Sequence, residues 1–365
     1  MLIVKEVYLC HRINHKKNKM KKKLRNILAL SLALMTTVAS AQDWNVDSRT
    51  RMDMSDANGD GNAIKSTDQR VTLGTTWGGS DWGIHISSDL NYVLGVSPSP
   101  HMDIFEAYAT TDLMGYANLT IGRQAINNGS GALMSSNDWN ANRTTWDGMT
   151  FDLGLDMADI SLGYASMNTG LGDDDNGNMW VNAAGEFSGW NVNVLYMTET
   201  GMTANGAASD NAATGIDVSG ELMGAGISAS LNTDFSENTM RVLGVSYAVN
   251  DDMAVNVGQT VYSEDGAFSM AGTNLSGGWA NGNMGYLGAG DEMLSYGLTY
   301  NMAGISMGAT MNAVTALDET LNRDVLEVSL GYSLNDNAAL AVKYATDATG
   351  NVESKYTWLT LTVRP

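Results

Sequence analysis

The residue types that could do chemistry in this chain are few, and most of them crowd into residues 119–153. That stretch carries Arg123, Asp138, Trp139 and Arg143 in a run otherwise rich in Asn, Ser and Gly. Two guanidiniums and a carboxylate there would bracket a constriction whose transverse charge separation orients solutes in a water-filled pore, or would equally pair within the link and simply hold it in place. They do not suit nucleophilic hydrolysis, which needs a hydroxyl or thiol activated by a base. Beyond residue 41 the only histidines are His85 and His101, and the one cysteine, Cys10, lies before that point. No enzyme is expected. A second candidate is Asp56, Asn58 and Asp60 in the run DANGDG, which offers the first, third and fifth side chains of a calcium loop. Its twelfth position is Thr67 where a calcium loop has a bidentate Glu, so an acidic turn is the simpler reading and no other cofactor is implied.

The elements that must position these residues are written as alternation. Trp44, Val46, Ser48, Thr50, Met52 and Met54 share one phase, with Asn45, Asp47, Arg49, Arg51 and Asp53 on the other. The division returns with Val71, Leu73, Thr75 and Trp77 against Arg70, Thr72, Gly74 and Thr76, and with Ile84, Ile86 and Leu90 against His85, Ser87 and Asp89. A phase holding that many charges cannot line a dry core, whereas it suits a wet lumen. Segments of this kind begin near residues 44, 69, 82, 104, 117, 146, 157, 179, 190, 214, 227, 239, 253, 292, 304, 324, 338 and 352. Short links alternate with long ones, the longest at 126–145 and 263–290. Trp44, Trp77, Trp82, Trp190, Tyr247, Tyr300 and Tyr332 fall on the apolar phase beside short links or the first strand, as a girdle at a membrane interface would. The pattern predicts an all-β fold, a transmembrane antiparallel β-barrel of about 18 strands in a bacterial outer membrane, with short turns and both ends of the barrel chain on the periplasmic side.

Residues 1–41 read as a leader. Lys21, Lys22, Lys23 and Arg25 precede an apolar run at 27–38 and an Ala39-Ser40-Ala41 cleavage pattern, with Met20 as the more natural start. Residues 42–365 would then form the barrel. Nine of the 20 basic residues and one of the 40 acidic ones lie in the leader, so the remainder carries 11 basic and 39 acidic residues, a net of −28. Nucleic acid is excluded as a partner by that balance, since phosphate binding relies on Lys and Arg. The expected partners are outer-membrane lipid and small hydrophilic solutes. Monomer and homo-oligomer both stay open.

Within 104–155 the motifs Gly122-Arg123-Gln124, Asn127, Gly129, Leu133, Asn137-Asp138-Trp139, Arg143-Thr144 and Trp146-Asp147-Gly148 resemble, in order and spacing, those of the outer-membrane alginate-export family. The resemblance implies an 18-stranded barrel and a positive lumen that guides a polyuronate. Gly131-Ala132-Leu133 lacks the basic residue that such members carry after these glycines, and acids such as Asp47, Asp89, Glu106, Asp152, Asp217, Glu221 and Glu327 share the lumen phase. A polyanion would be repelled along much of that wall. The reading of the residues is therefore a porin for small hydrophilic solutes with a cation preference. The alternatives are a channel for an anionic poly- or oligosaccharide, as the resemblance implies, and a non-conducting surface barrel or adhesin. The pore or constriction residues expected are Arg49, Arg51, Arg70, Arg123, Asp138, Trp139 and Arg143, with the 126–145 link folding into the lumen. Arg123 shares parity with Leu119 and Ile121, so it should sit at the rim or follow a bulge.

Overall fold

The structure, a computed structural model, describes residues 42–57, 65–96, 100–166, 177–201 and 211–364. The strands are β1 (Gln42–Asp53), β2 (Ser66–Gly78), β3 (Trp82–Val93), β4 (His101–Asp112), β5 (Asn118–Gln124) and β6 (Trp146–Gly154). Next come β7 (Asp159–Ser166), β8 (Gly177–Phe187), β9 (Trp190–Thr200), β10 (Ala212–Leu222), β11 (Ala225–Thr233) and β12 (Thr239–Ala248). The last six are β13 (Met253–Tyr262), β14 (Glu292–Met302), β15 (Ile305–Thr315), β16 (Arg323–Asn335), β17 (Ala338–Thr349) and β18 (Val352–Val363). Each strand pairs antiparallel with its sequence neighbours in one 18-stranded sheet, and β1 also pairs with β18, Ser48 opposite Val363 through Asp53 opposite Trp358. The barrel is closed, so every strand edge is paired, as a strand in lipid requires.

The links rotate strictly between the two ends of the barrel. At one end they hold two to five residues, and three of them, Ser188-Gly189, Met223-Gly224 and Ala303-Gly304, have positive φ at both positions. That is the type I′ turn whose twist matches that of the flanking strands. The other end carries the long links, and the strands begin within a few residues of where alternation puts them. The outer surface is an apolar belt, in which Leu73, Ile84, Ile121, Val194, Leu243, Val257, Leu298 and Leu330 are all exposed. An apolar surface that extensive is sustained by lipid. Trp44, Trp82, Tyr247 and Tyr332 are exposed at the short-turn end, and the Trp190 ring covers the side of Gly220 where a Cβ would stand.

The one irregularity near the candidate residues is a bulge on the β3–β4 ladder, where Ser87 pairs with Glu106 and Ser88 with Ile104, leaving Phe105 as the extra residue. Of the candidate calcium loop, Asn58 and Asp60 lie outside the described residues. Asp56 bridges backbone to backbone with Lys355, and Thr67 is a β2 residue opposite Met52.

Candidate functional site

The link at 125–145 lies inside the lumen, clamped on one side by the barrel's arginines. Arg49 Nη1 donates to the Asp138 carbonyl at 2.8 Å, and Arg70 Nη1 to the same carbonyl at 2.9 Å and to that of Asn140 at 3.1 Å. Arg51 Nη1 donates to the Trp139 carbonyl at 2.9 Å while its guanidinium lies 4.3 Å from the Trp139 ring centroid. The Asp138 carboxylate accepts from Arg70 Nη2 at 3.0 Å and from Arg143 Nη1 at 3.3 Å. Arg143 also donates to both oxygens of Asp89, from Nε at 3.0 Å and from Nη2 at 2.6 Å, and lies over the ring of Phe105, the bulge residue. Burial alone would push the Asp138 carboxyl up, but Arg70, Arg143 and Arg49 outweigh it and hold it below the usual carboxylate range.

The structure thus brings six of the seven expected pore residues into one cluster: Arg49, Arg51, Arg70, Asp138, Trp139 and Arg143. Arg123 stands apart. It is the penultimate residue of β5, half-exposed, and its guanidinium grips Asp147 on β6 with Nε and Nη2 at 2.7 and 2.6 Å. The pair Arg123–Asp147 is in register across the ladder and shares the outward phase with Ile121 and Met149, so it ties two strands together at the rim outside the constriction.

The far side of the same link is held by apolar contacts. Ala132, Leu133 and Met134 are buried with Trp180, Leu195, Met197, Ala213, Met240 and Tyr262, all lumen-phase side chains of β8–β13. Ser130 N donates to Asp217 Oδ2 at 2.9 Å, an approach that Gly129 allows, since a Cβ there would stand 2.0 Å from that oxygen. A second long link, 263–291, also enters the lumen and closes over the first. Thr144 Oγ1 donates to the Gly272 carbonyl at 2.6 Å, Asn274 N to Ser135 Oγ at 2.8 Å, and Asn140 Nδ2 to Asn281 Oδ1 at 3.2 Å. Its own tip is pinned where Trp279 stacks on Tyr356 at 4.5 Å and donates to Asp347, which Arg323 grips through two donors. Trp358, on β18, meets Trp139 edge to face at 5.4 Å and so joins the two links.

Sequence reasoning placed a long link at 263–290 but missed its entry into the lumen, the Asp89 partner of Arg143, and the aromatic group Trp279, Tyr356 and Trp358. Asp89 had a visible signal, being an acid on the lumen phase at the depth of Arg70. So did Trp358, a lumen-phase indole on a strand otherwise polar on that face.

The lumen outside the clamp is divided by charge. On β6–β10 the lumen phase carries Asp152, Asp159, Glu186, Asp217 and Glu221, and among the described residues no Lys or Arg pairs with any of them. The wall of β11–β15 is uncharged there, with Ser228, Gly244, Gly258 and Ser295 level with one another. On the lumen phase the basic residues of the strands lie on β1, β2, β16 and β17. Each is engaged: Lys343 with Glu327 at 2.6 Å, Arg323 with Asp347, and the arginines of the clamp as above.

A closed 18-stranded barrel with an apolar belt, an aromatic girdle and in-folded outer links defines an outer-membrane β-barrel with a porin fold. The profile of the alginate-export family matches residues 36–162, which bears out over that span the resemblance carried by the motifs around Arg123 and Arg143. Among solved structures, the chain is similar to OpdK of Pseudomonas aeruginosa, determined with vanillate, at 12% identity and a TM-score of 0.70, with 90% of this chain and 99% of that chain covered. It is similar to OccAB2 of Acinetobacter baumannii at 14% identity and a TM-score of 0.69, covering 88% and 98%. It is also similar to OccK5 (OpdH) of Pseudomonas aeruginosa at 11% identity and a TM-score of 0.68, covering 89% and 98%. These likenesses are of fold. No curated protein sequence matches the chain.

Proposed function

We propose that the protein is an outer-membrane porin that passes small hydrophilic solutes by diffusion, prefers cations, and is narrowed by the links at 125–145 and 263–291. The observation that carries the cation preference is the uneven pairing of charge in the lumen. The arginines of β1 and β2 are bound to loop carbonyls and Asp138, and Arg143 of the link is bound to Asp89, so little of their charge faces solute. The acids of β6–β10 have no cationic partners among the described residues, and a wall of uncompensated carboxylates concentrates cations.

A second reading, passage of an anionic oligosaccharide, is supported by the alginate-export match and by the grouping of four arginines at one depth. Reversal potential separates the two. Purified protein in a planar bilayer under a salt gradient is expected to form stable channels with a cation-selective potential. An anion-selective potential would move the assignment to the second reading, and absence of channels would end both.

A further inference from the structure

Beneath the two in-folded links lies a cavity of about 840 Å³ whose surfaces are of two chemical kinds. On the link side and the adjoining wall it is apolar: Met240, Tyr262 and Leu287 are buried there, with Met284 and Met293 half-buried beside them. Toward the short-turn end it carries Asp217, Asp159 and Glu186 among serines and asparagines, and neither Lys nor Arg lines it. Asp217 is half-satisfied, by Ser130 N and Ser230 Oγ. Asp159 and Glu186 are exposed to the cavity, and neither accepts a hydrogen bond nor forms an ion pair among the described residues.

From this we infer that the cavity is a binding subsite for organic cations with an apolar body, an ammonium on an aromatic or branched alkyl group. The inference rests on the cation-preferring porin reading above. An inorganic cation would use the carboxylates and gain nothing from the methionines, and an anion would meet three acids without a base. A solute with both parts uses both surfaces, because thioethers pack favourably on rings and the ammonium replaces its water with carboxylate oxygens. The size suits such a guest, since pockets for small organic molecules run from roughly 300 to 1,000 Å³. The cavity lies under Gly129, Ser130 and Ala132 of the first link and Leu275, Met284 and Leu287 of the second, on the side where the links dock against β8–β13.

The test is blockade of single-channel current with probes added on the short-turn side of a bilayer. Benzyltrimethylammonium is expected to block the native channel at a concentration about tenfold lower than tetramethylammonium, which has the charge without the ring. Benzoate, with the ring and the opposite charge, is expected not to block. Glu186→Gln and Asp217→Asn are each expected to raise the blocking concentration of benzyltrimethylammonium by about tenfold, the scale of one charge-assisted contact. Asp217 also holds Ser130, so Glu186→Gln is the arm that leaves the link's hydrogen bonds intact. Equal blockade by the two ammonium ions, or blockade unchanged in both variants, would overturn the subsite while leaving a cation-selective channel standing. An anion-selective reversal potential would instead overturn the reading on which the subsite rests.

Discussion

Arg143 uses Nε and Nη2 on Asp89 and Nη1 on Asp138, and its flat face covers Phe105, so one side chain joins β3, the bulge of β4 and the in-folded link. Its side chain is 9% exposed and that of Asp89 4%, a degree of burial at which losing one partner leaves an uncompensated charge. Arg143→Ala is accordingly expected to destabilise the barrel by about 3 kcal/mol or more in detergent unfolding, whereas Arg143→Met combined with Asp89→Asn recovers most of the loss because no bare charge remains. Asp138 behaves differently, since its carboxylate is 60% exposed and draws its place from three guanidiniums. Its folded pKa lies below the unfolded one, so its contribution is present above the ordinary Asp value of about 3.9 and is lost as pH falls through the lowered folded value. Channel conductance and noise are thus expected to stay flat from pH 8 to pH 5 as far as this group is concerned, with the link loosening only in stronger acid. Asp138→Asn is expected to give that looser, noisier channel already at neutral pH, and a variant as quiet as the native channel would remove Asp138 from the clamp.

The strands were legible in the sequence because each faces lipid on one side and water on the other, so a period of two is enforced along nearly its whole length. The in-folded links were less so, because their docking depends on contacts between residues far apart in the chain. A trace of it was present all the same. The lumen phase of β9 runs Asn191, Asn193, Leu195, Met197, turning from polar to apolar toward the long-link end, and Trp180, Ala213, Met240 and Tyr262 do the same on neighbouring strands. A water-filled lumen has no use for that apolar patch, and an in-folded link does. The patch meets residues 132–134, while the arginine side meets 138–140, so the 125–145 link is held by unlike forces at its two edges. The 263–291 link was less visible, because its docking combines backbone carbonyls and Asn side chains with Phe268, Met270 and Leu287 in the buried cluster and Trp279 on Tyr356, all contacts between residues distant in the chain. Gly282, at φ 73°, lies against Trp139, and a Cβ there would stand 2.4 Å from the indole. Gly282→Val combines that clash with a strained backbone and is expected to cost about 1–3 kcal/mol in docking of this link. Limited proteolysis should then cut within 263–291 in folded protein and conductance should rise. Unchanged protease resistance would show that the link is held elsewhere.

Over the whole barrel, charge is laid out by depth as well as by sector. The lumen-phase basic residues of β1, β2, β16 and β17 lie near the level of the clamp, and each is matched by a carboxylate or a set of carbonyls. Nearer the short turns the lumen phase carries Asp47, Asp152, Asp159, Glu186 and Glu221, and none of them forms an ion pair among the described residues. On the proposed cation-preferring reading, the net field in the channel comes from this acidic collar, while the more conspicuous arginines act mainly on the position of the link. The two contributions respond differently to salt. Fields of lumen carboxylates reach about 10 Å at 0.1 M salt and about 3 Å at 1 M, so a collar spread around a wide lumen selects strongly in dilute salt and weakly in concentrated salt. The cation-to-anion permeability ratio is expected to be well above one in 0.1 M KCl and to approach one in 1 M KCl. A collar variant with Asp152→Asn, Asp159→Asn, Glu186→Gln and Glu221→Gln should lose most of the preference at 0.1 M with little change in conductance at 1 M, because no link is anchored to those four groups. Arg49→Gln should do the reverse, changing conductance and noise because Arg70 alone then holds the Asp138 carbonyl, while leaving the low-salt preference largely in place. If selectivity followed Arg49 and ignored the collar, the arginines would be facing solute after all, and the anionic-oligosaccharide reading would gain the ground that the acidic wall now holds.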